Sequence, residues 1–536
     1  TLVSGWKVSL NWQESATNET SLELERRVGD GEFTVLQTLP SNTRSYVDAG
    51  ISAETTYAYR LRTVSASGTS SWTPVVTVTT PDVFHAVGTV WDAGGGSDTS
   101  IDTAGNWDTD GNPAFDGTLC LNFASAGTLA TINTHVSLLG LNLHRDADFT
   151  IADGGGTLTL GGSGLCAVAP NATPRSYTLA AKVAFASNQT WCVTNTGSGT
   201  TSLTVTGPLT DGASAFGLTK TGDGLLTLAG ACSYDGTTVV STGSFLRVAH
   251  AYGLGSVVGN TVVMDGGWLE IAGGVAVVEP LRLNGAASLN GSGVLRSVAG
   301  TNAWTGAVTL GSASRIKVGG GSALTLAGGL GGNYAVYLTP DAEAFLSVTG
   351  LPLNVGGSAV YAYGEGTVAF GATGNAWGTL DVEGLTVRMD VSNALPSASI
   401  LSVGGTYSAS GTVDLNGKSQ TVAQLKRGTA NAGARIVTST LPATLTVSGS
   451  TSTSYDGVLA GALSLAKGGS STLTLGGTNL YTGSTIVSGG TLTVNVGAAL
   501  LGSEDISVTG GTLKLFGTST LPDTAVLRIS DGGGAK

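Results

Sequence analysis

The stretch LTKTGDGLLTLAGACSYDGTTVVSTGSFLRV at residues 218–248 is nearly repeated as LAKGGSSTLTLGGTNLYTGSTIVSGGTLTV at residues 465–494. Each copy contains a Lys near its start, a Leu-Thr-Leu segment, a Tyr-x-Gly turn followed by Thr, and a closing Leu-x-Val. Such self-similarity is typical of solenoids, in which one repeat buries its apolar face only against the next. The two copies therefore predict a repeat fold.

A shorter unit, Gly-x-Leu-x-(Leu/Val/Ile), recurs within and between these copies. Apolar residues two positions apart place alternate side chains on one face, as in a strand, and flanking glycines mark turns. The leucines at positions 226, 246 and 269 are 20 and 23 residues apart, and about twenty residues is the coil length of a parallel β-helix. We expect a core ladder that includes Leu226, Leu228, Leu473 and Leu475.

The composition excludes several classes of protein. Glycine supplies 83 of 536 residues, and charged residues only 11%, against about 25% in an ordinary globular domain. No apolar run approaches the roughly 18 residues that cross a bilayer, so we expect no transmembrane segment. The net charge of −12, without a basic stripe, argues against nucleic acid as a partner. Because a starting Met and a signal peptide are absent, we expect a mature or excised piece.

The first 81 residues indicate a different fold. Alternating apolar residues lead to Trp12, and a later Tyr-x-Tyr-Arg-Leu strand starts at Tyr57. With Gly68 in the last hairpin and Trp72 before the final strand, the segment resembles a fibronectin type III domain. The resemblance implies a β-sandwich over residues 1–81, with Tyr57 at the tyrosine corner. Its first strand should be short or missing, because few residues precede the strand that leads to Trp12.

The next stretch, TVWDAGGGSDTSIDTAGNWDTDGNPAFDGTLCLNF at residues 89–123, has Trp91 and Trp107 as its landmarks. It resembles the opening of bacterial surface proteins with autotransporter-associated β-strand repeats. The two long copies at 218–248 and 465–494 resemble the repeats themselves. The resemblance implies a secreted or surface-displayed β-helix.

Together these observations predict an all-β chain in two domains. A fibronectin type III-like β-sandwich at residues 1–81 should precede a long right-handed parallel β-helix at residues 82–536. At about 21 residues and about 4.8 Å per coil, the helix would have about twenty coils and a length on the order of 100 Å. The final TAVLRISDGGGAK has no evident cap, so either the natural protein continues or the open end stacks on another subunit.

Residues able to perform catalysis are sparse. The histidines stand far apart, and no nucleophile elbow, zinc motif or phosphate loop is present. The densest charge cluster of the predicted solenoid has two interpretations: a solvated face, which we favour, or the carboxylates of a polysaccharide lyase or hydrolase. The histidines are His85, His135, His144 and His250, and the charge cluster is Glu365, Asp381, Glu383, Arg388 and Asp390.

A group of aspartates near the start of the predicted solenoid is the only candidate for metal binding. Asp108, Asp110 and Asn112 occupy the first three ligand positions of a calcium loop, but Pro113 stands where such loops need Gly. A structural turn is therefore favoured over calcium for this segment, and the same holds for Asp98 and Asp102 in the preceding glycine-rich segment. We expect no cofactor.

The cysteines Cys120, Cys166, Cys192 and Cys232 form no Cys-x-x-Cys pair, so a zinc site is not expected. Cys166 and Cys192 are 26 residues apart, close to one coil, and so belong on adjacent turns. An extracellular setting would suit a disulfide between them. Buried thiols acting as small core residues are equally compatible with the spacing.

The leading functional hypothesis is a non-enzymatic extracellular rod: an adhesin, a surface-layer component or a fibre subunit. Its partners would be further copies joined through the rod ends, other surface proteins, or glycans. The alternatives are a β-helical polysaccharide lyase or hydrolase and a carbohydrate-binding protein without catalysis.

Overall fold

The computed structural model describes residues 2–4, 7–13, 18–48, 56–79, 90–124, 127–169, 173–195, 199–285, 293–429, 433–518, 520–530 and 534–535. Within them the secondary structure is strand, apart from one 3-10 turn at Ala104–Asn106. The chain divides into two compact units, Thr1–Leu246 and Arg247–Lys536, which together hold about 18 turns of parallel β-solenoid. The predicted all-β parallel solenoid is thus confirmed. The described residues contain no long apolar helix of the kind that crosses a bilayer.

The first unit begins with two antiparallel sheets. Val8 of the smaller sheet clusters with Tyr57 and Tyr59 of the larger one, so apolar side chains from both sheets share a core. The smaller sheet consists of Leu2–Ser4, Lys7–Asn11 and Ser45–Asp48, and the larger one of Ser21–Val28, Thr34–Pro40, Thr56–Ser65, Gly68–Thr69 and Val76–Thr79.

The rest of the first unit is built from two parallel sheets that the chain visits in turn. Each strand pairs with strands of the preceding and following turns, so the backbone bonds run between turns. Sheet 1 consists of Leu129–Ile132, Phe149–Asp153, Arg175–Leu179, Thr201–Val205, Leu225–Leu228 and Phe245–Val248, whose last two residues belong to the second unit. Sheet 2 consists of Cys120–Phe123, Val136–His144, Thr157–Val168, Lys182–Phe185, Gln189–Thr194, Leu209–Thr210, Leu218–Thr221 and Thr238–Val240.

The described parallel strands of the second unit fall into four groups, which we number sheets 3 to 6. Sheet 3 consists of Thr261–Val263, Leu281–Leu283, Val308–Leu310, Leu330–Gly331 and Leu353–Asn354. Sheet 4 consists of Trp268–Ala272, Leu295–Ala299, Ser314–Val318, Val336–Pro340, Ala359–Tyr363, Thr379–Glu383, Ile400–Val403 and Gln424–Arg427. Sheet 5 consists of Ala276–Val277, Thr301–Trp304, Ala323–Leu326, Phe345–Thr349, Thr367–Gly371, Thr386–Met389, Gly411–Asp414, Gln420–Val422, Arg435–Val447, Val458–Lys467, Thr478–Tyr481, Thr485–Val487, Ala499–Leu500, Asp505–Val508 and Val526–Ile529. Sheet 6 consists of Thr453–Tyr455, Thr472–Leu475, Thr491–Val494, Thr512–Leu515 and Gly534–Ala535.

Leucine ladders fill the interior of the solenoid turns. Leu473 pairs in register with Leu492, which pairs with Leu513, and none of the three exposes more than 1% of its surface. The alternation of the sequence explains the ladder, because every second side chain of a strand points to the same face. Leu226 and Leu228 of the first unit are fully buried in the same way.

Glycine is required where the chain turns at the end of the first strand of each long copy. Gly222 and Gly469 both stand two residues after the repeated Lys, and both have positive φ, 81° and 62°. A Cβ atom on Gly222 would lie 2.3 Å from the carbonyl oxygen of Val193, and one on Gly469 would lie 2.2 Å from that of Ser448. Only Gly combines this backbone conformation with so close an approach of the neighbouring turn.

Replacing Leu473 with Ala should lower the free energy of unfolding by about 2–5 kcal/mol, because the change removes a fully buried ladder side chain and leaves a cavity. The matched control is Val258→Ala, at a side chain that is 76% exposed, and it should change stability by less than about 0.5 kcal/mol. Denaturant unfolding of both variants measures the difference. Equal losses in the two variants would contradict the ladder.

Candidate functional site

The repeated Lys of the first long copy is a buried structural residue. Lys220 has no exposed surface, and its Nζ donates hydrogen bonds to the carbonyl oxygens of Val193 (3.3 Å), Thr221 (2.6 Å) and Gly222 (2.7 Å). The carbonyl of Val193 also accepts the backbone N–H of Gly224, whereas those of Thr221 and Gly222 lie where the strand ends, and an unsatisfied buried carbonyl is costly. The ammonium group therefore stabilises the corner by supplying the missing donors.

Lys467 does the same in the second copy. It is also fully buried, and its Nζ donates to the carbonyl oxygens of Gly468 and, at 3.4 Å, Gly489. Burial lowers the pKa of Lys467, which shows the cost of holding a charge there. Because each Lys is enclosed by its own turns, neither is available to a ligand.

The repeated Tyr is buried as well. The hydroxyls of Tyr234 and Thr238 lie 2.6 Å apart, and those of Tyr481 and Thr485 are separated by the same distance. Thr485 also shares a hydrogen bond of 2.8 Å with the hydroxyl of Ser503 on the next turn. The Tyr-x-Gly-x-Thr pattern thus encodes a buried hydroxyl pair that joins two sides of a turn.

Replacing Tyr481 with Phe should lower the free energy of unfolding by about 1 kcal/mol, because it removes one partner of a buried hydrogen bond. Tyr455 is the matched control: its ring is equally buried, but its hydroxyl has no hydrogen-bond partner among the described residues. Tyr455→Phe should therefore be neutral or stabilising. A larger loss of stability in Tyr455→Phe than in Tyr481→Phe would contradict this assignment.

An aromatic cluster packs at the beginning of the solenoid turns. The rings of Trp91 and Trp107 meet edge to face with centroids 5.2 Å apart, and Phe123 lies within 5.7 Å and 6.1 Å of them. Both tryptophans are fully buried, and the indole N–H of Trp107 donates to the carbonyl oxygen of Ile101 at 2.9 Å. These landmark residues of the sequence are core residues.

The aspartates considered for calcium serve as hydrogen-bond acceptors in turns. Asp98 accepts bonds from the backbone N–H of Ser100 and the hydroxyl of Thr103, and these bonds lower the pKa of Asp98. Asp102 accepts a bond from the Asn133 amide, and Asp108 accepts one from the N–H of Val90. Asp110 stands in a turn with positive φ. Within the described ranges, no three His, Cys, Asp or Glu side chains are close enough to hold a metal ion.

The four residues that suggested a β-sandwich lie in or beside the two antiparallel sheets, and Gly68 begins the strand Gly68–Thr69. Trp12 packs against the core, and its indole N–H donates to the carbonyl oxygen of Thr43 at 2.8 Å. Trp72 lies against the guanidinium groups of Arg60 and Arg62, at 4.4 Å and 4.2 Å. A cleft of about 440 Å³ is lined by both tryptophans and by Arg62. Tyr57 is buried in the core, and its tyrosine-corner role stays a prediction.

The predicted cysteine pair lies on neighbouring turns. Cys166 and Cys192 face each other in register on the parallel strands Thr157–Val168 and Gln189–Thr194. Both are thiols in the structure, and the hydrogen bond between them, together with burial, raises the pKa of Cys166. The spacing of 26 residues is therefore one turn.

The three histidines within the described ranges do not form a common site. His144 is half-buried, and burial lowers its pKa; His250 accepts a hydrogen bond from the backbone N–H of Tyr252 at 3.1 Å. His135 is exposed, whereas His85 lies outside the described residues.

The structure divides the predicted charge cluster between two sheets. Asp381 and Glu383 share one face of a sheet 4 strand, whereas Asp390 follows a strand of sheet 5 and forms an ion pair with Arg388 at 2.8 Å. Glu365 is exposed in a turn between the two sheets. The acidic residues therefore do not form the single carboxylate set that a lyase or hydrolase would need.

Sequence reasoning missed the residues that surround Asp381. Tyr337 and Tyr361 stack on adjacent strands of sheet 4, with centroids 4.9 Å apart and planes 11° from parallel. Tyr363 and Tyr407 stack at 4.6 Å and 12°. The sequence contained a sign of this alignment. Residues 337, 361 and 381 are 24 and 20 positions apart, which is close to one coil in each case.

Two further groups complete this outward face, and we call the set Tyr337, Tyr361, Tyr363, Tyr407, Arg315 and Asp381 the tyrosine face. The Arg315 guanidinium lies 5.4 Å from the ring centre of Tyr363. Burial raises the pKa of Asp381 above its ordinary value. Glu383, beside the face, accepts hydrogen bonds from the backbone N–H groups of Tyr407 (2.6 Å) and Ser408 (3.1 Å) and so holds the turn that presents Tyr407.

A second residue missed by the sequence reasoning is Glu279, a core carboxyl group. It is 2% exposed, and its Oε1 accepts a hydrogen bond from the Thr261 hydroxyl at 3.0 Å. Its Oε2 has no partner among the described residues. Burial raises the pKa of Glu279 to about 8, so the folded chain holds this carboxyl protonated at neutral pH.

Stability should therefore fall as pH rises from about 4.5 to about 8, since the folded state keeps a proton at Glu279 that the unfolded chain releases. Glu279→Gln should flatten this dependence and stabilise the chain at the alkaline end by about 1–3 kcal/mol. The control is Glu504→Gln, an exposed carboxylate that also accepts a Thr hydroxyl. Unfolding curves across this pH range provide the measurement, and an unchanged slope in Glu279→Gln would contradict the assignment.

A known repeat family matches the two long copies. The family described as the passenger-associated-transport-repeat matches residues 218–246 and 465–494. These matches contain the buried Lys and Tyr of each copy, so the family pattern coincides with the residues that build the corner.

One curated relative is the adhesin BmaC autotransporter of Brucella suis biovar 1 (strain 1330), which is 27% identical over 474 residues. The match covers 84% of this chain and 12% of that protein, so this chain spans only a small part of its relative's length. Among solved structures, pectate lyase PelI of Erwinia chrysanthemi covers 73% of this chain and 84% of its own at 12% identity. Pectate lyase Pel3 of Pectobacterium carotovorum covers 72% of this chain and 83% of its own, also at 12% identity. Both have TM-scores of 0.16, which carry no argument about this chain.

The repeats and the adhesin relative agree on what this chain is similar to. Two passenger-associated transport repeats stand within a parallel β-solenoid, and an autotransporter adhesin aligns with most of the chain. Both support the predicted autotransporter passenger β-helix, and both place the protein on the bacterial cell surface or among secreted proteins.

Proposed function

We propose that this chain is a non-enzymatic passenger segment that acts in adhesion. The observation that carries the proposal is that the repeated Lys and Tyr of the two copies are fully buried by the solenoid itself. The outward faces of the turns are then the surface on which a partner can be bound. The adhesin relative supports the same conclusion.

The polysaccharide lyase or hydrolase alternative is not favoured. Its candidate carboxylates are divided, with Asp390 paired to Arg388 on a different sheet from Asp381. Glu383 is occupied by two backbone N–H groups and holds a turn. A surface-layer or fibre role through self-association remains a prediction.

The two antiparallel sheets fit the proposed fibronectin type III-like domain. Their strand orders divide the strands into a three-stranded and a larger antiparallel sheet, with a shared apolar core. The first strand, Leu2–Ser4, has three residues, in keeping with the short strand expected from the sequence. The proposed boundary after residue 81 falls among residues 80–89, which lie outside the described ranges.

The disulfide between Cys166 and Cys192 also remains a proposal. Their in-register position gives neighbouring strand residues whose side chains point the same way. The raised pKa of Cys166 leaves little thiolate, so this pair should oxidise slowly.

Beads carrying the full chain test the adhesive function. They should adhere to cultured cell monolayers or to surfaces coated with extracellular matrix more strongly than beads carrying serum albumin, because the proposal places a binding surface on the folded chain. The chain should release neither new reducing ends nor unsaturated products from polysaccharides. Product release in the absence of adherence would overturn the proposal in favour of the enzyme.

A further inference from the structure

We propose that the tyrosine face is a binding site for neutral, hydroxyl-rich carbohydrate. This proposal rests on the proposed adhesive function, and it assigns to that function a surface and a class of ligand. The face combines aromatic rings, polar atoms without partners among the described residues, and in-register repetition from turn to turn.

The rings offer flat surfaces to a ligand. Tyr407 is 62% exposed and stacks on Tyr363, so the outer side of a supported, oriented ring is open. Tyr361 is partly exposed and is held by its stacking on Tyr337. An aromatic face carries negative charge density, which attracts the weakly positive C–H groups on one side of a sugar ring. Rings fixed in advance bind at a smaller entropic cost.

Polar atoms around these rings need partners that the described residues do not provide. Arg315 is 7% exposed, and its Nε has no hydrogen-bond acceptor among them. The Asp381 carboxyl group is hydrogen-bonded to Ser402, but its Oδ1 has no donor among the described residues, and the Tyr363 hydroxyl has no hydrogen-bond partner among them. Buried polar groups are normally hydrogen-bonded. The hydroxyls of a sugar both donate and accept, so one ligand can satisfy a carboxylate and a guanidinium together.

The solenoid repeats the polar positions along a line. In sheet 4, Arg315, Tyr337, Tyr361, Asp381 and Ser402 pair in register from strand to strand. Successive strands are about 4.8 Å apart, so the groups form a straight track suited to a chain of linked sugar units.

Charge indicates a neutral glycan. Asp381 lies on this track between Arg315 and Lys426, so the charges of the track are mixed in sign. The whole chain has a net charge of −12, which disfavours an acidic polysaccharide.

The experiment presents the full chain to immobilised tetrasaccharides of glucose, mannose and galactose, with chondroitin sulfate and polygalacturonate as the acidic arm. We expect binding to a neutral sugar, and titration with that sugar should give at least about tenfold weaker affinity in Tyr407→Ala and in Asp381→Asn. Tyrosine circular dichroism should change when the sugar binds. The control is Tyr252→Ala, at a ring of the same unit that is 54% exposed and outside the tyrosine face; it should bind normally.

The proposal is overturned if no neutral sugar binds, if only the acidic arm binds, or if both variants keep full affinity while their unfolding curves match the wild type. Beads carrying the same variants separate this failure from failure of the adhesive function. Adherence that survives a Tyr407→Ala change that abolishes sugar binding shows that adhesion does not use the tyrosine face. Adherence that depends on Tyr407 without any neutral sugar binding removes the glycan site and leaves adhesion intact. Sugar binding without adherence supports the site and removes the adhesive function.

Discussion

Backbone carbonyls at the corners are the constraint on which each repeat depends. Strands of a parallel solenoid satisfy their backbone groups through the neighbouring turns, but the ladder stops where the chain turns. At the corner of the first long copy, Lys220 donates to three carbonyl oxygens, and Gly222 permits the close approach of Val193. Lys467 and Gly469 repeat the arrangement. Each of these two corners therefore holds a buried ammonium group that donates to at least two carbonyl oxygens.

The repeat pattern of Lys, Gly, Leu and Tyr says little about binding partners, because its residues lie inside the turns. They stabilise the solenoid and do not face a ligand. The outward positions of each strand are free to vary without breaking the ladder. On sheet 4 those positions bring tyrosines, Arg315 and Asp381 together, and their chemistry differs from that of the threonines that occupy outward positions in the strand Thr472–Leu475.

The sequence predicted the interior well because two simple rules determine it. Alternation sets which side chains point inward, and the coil period stacks Leu473 on Leu492. The cysteine spacing of 26 residues likewise matched one turn, since Cys166 pairs with Cys192. The tyrosine face was harder to predict, because the turns around it differ in length and register had to be known before Tyr337, Tyr361 and Asp381 could be aligned. Glu279 could not be predicted for another reason. A buried carboxyl is normally paired with a charged group, whereas the hydrogen-bond partner of Glu279 is the hydroxyl of Thr261, which no sequence motif indicates.

The central claim is that the residues that stabilise the solenoid and the residues that bind a partner are separate sets. An alanine scan of the full chain displayed on a cell surface tests this most directly, with folded display and adherence measured for every variant. The account predicts that substitutions at Lys220, Lys467 and Tyr481 reduce display. Substitutions at Tyr407 and Asp381 should keep display and lose adherence. A scan in which adherence falls only together with display would contradict the account.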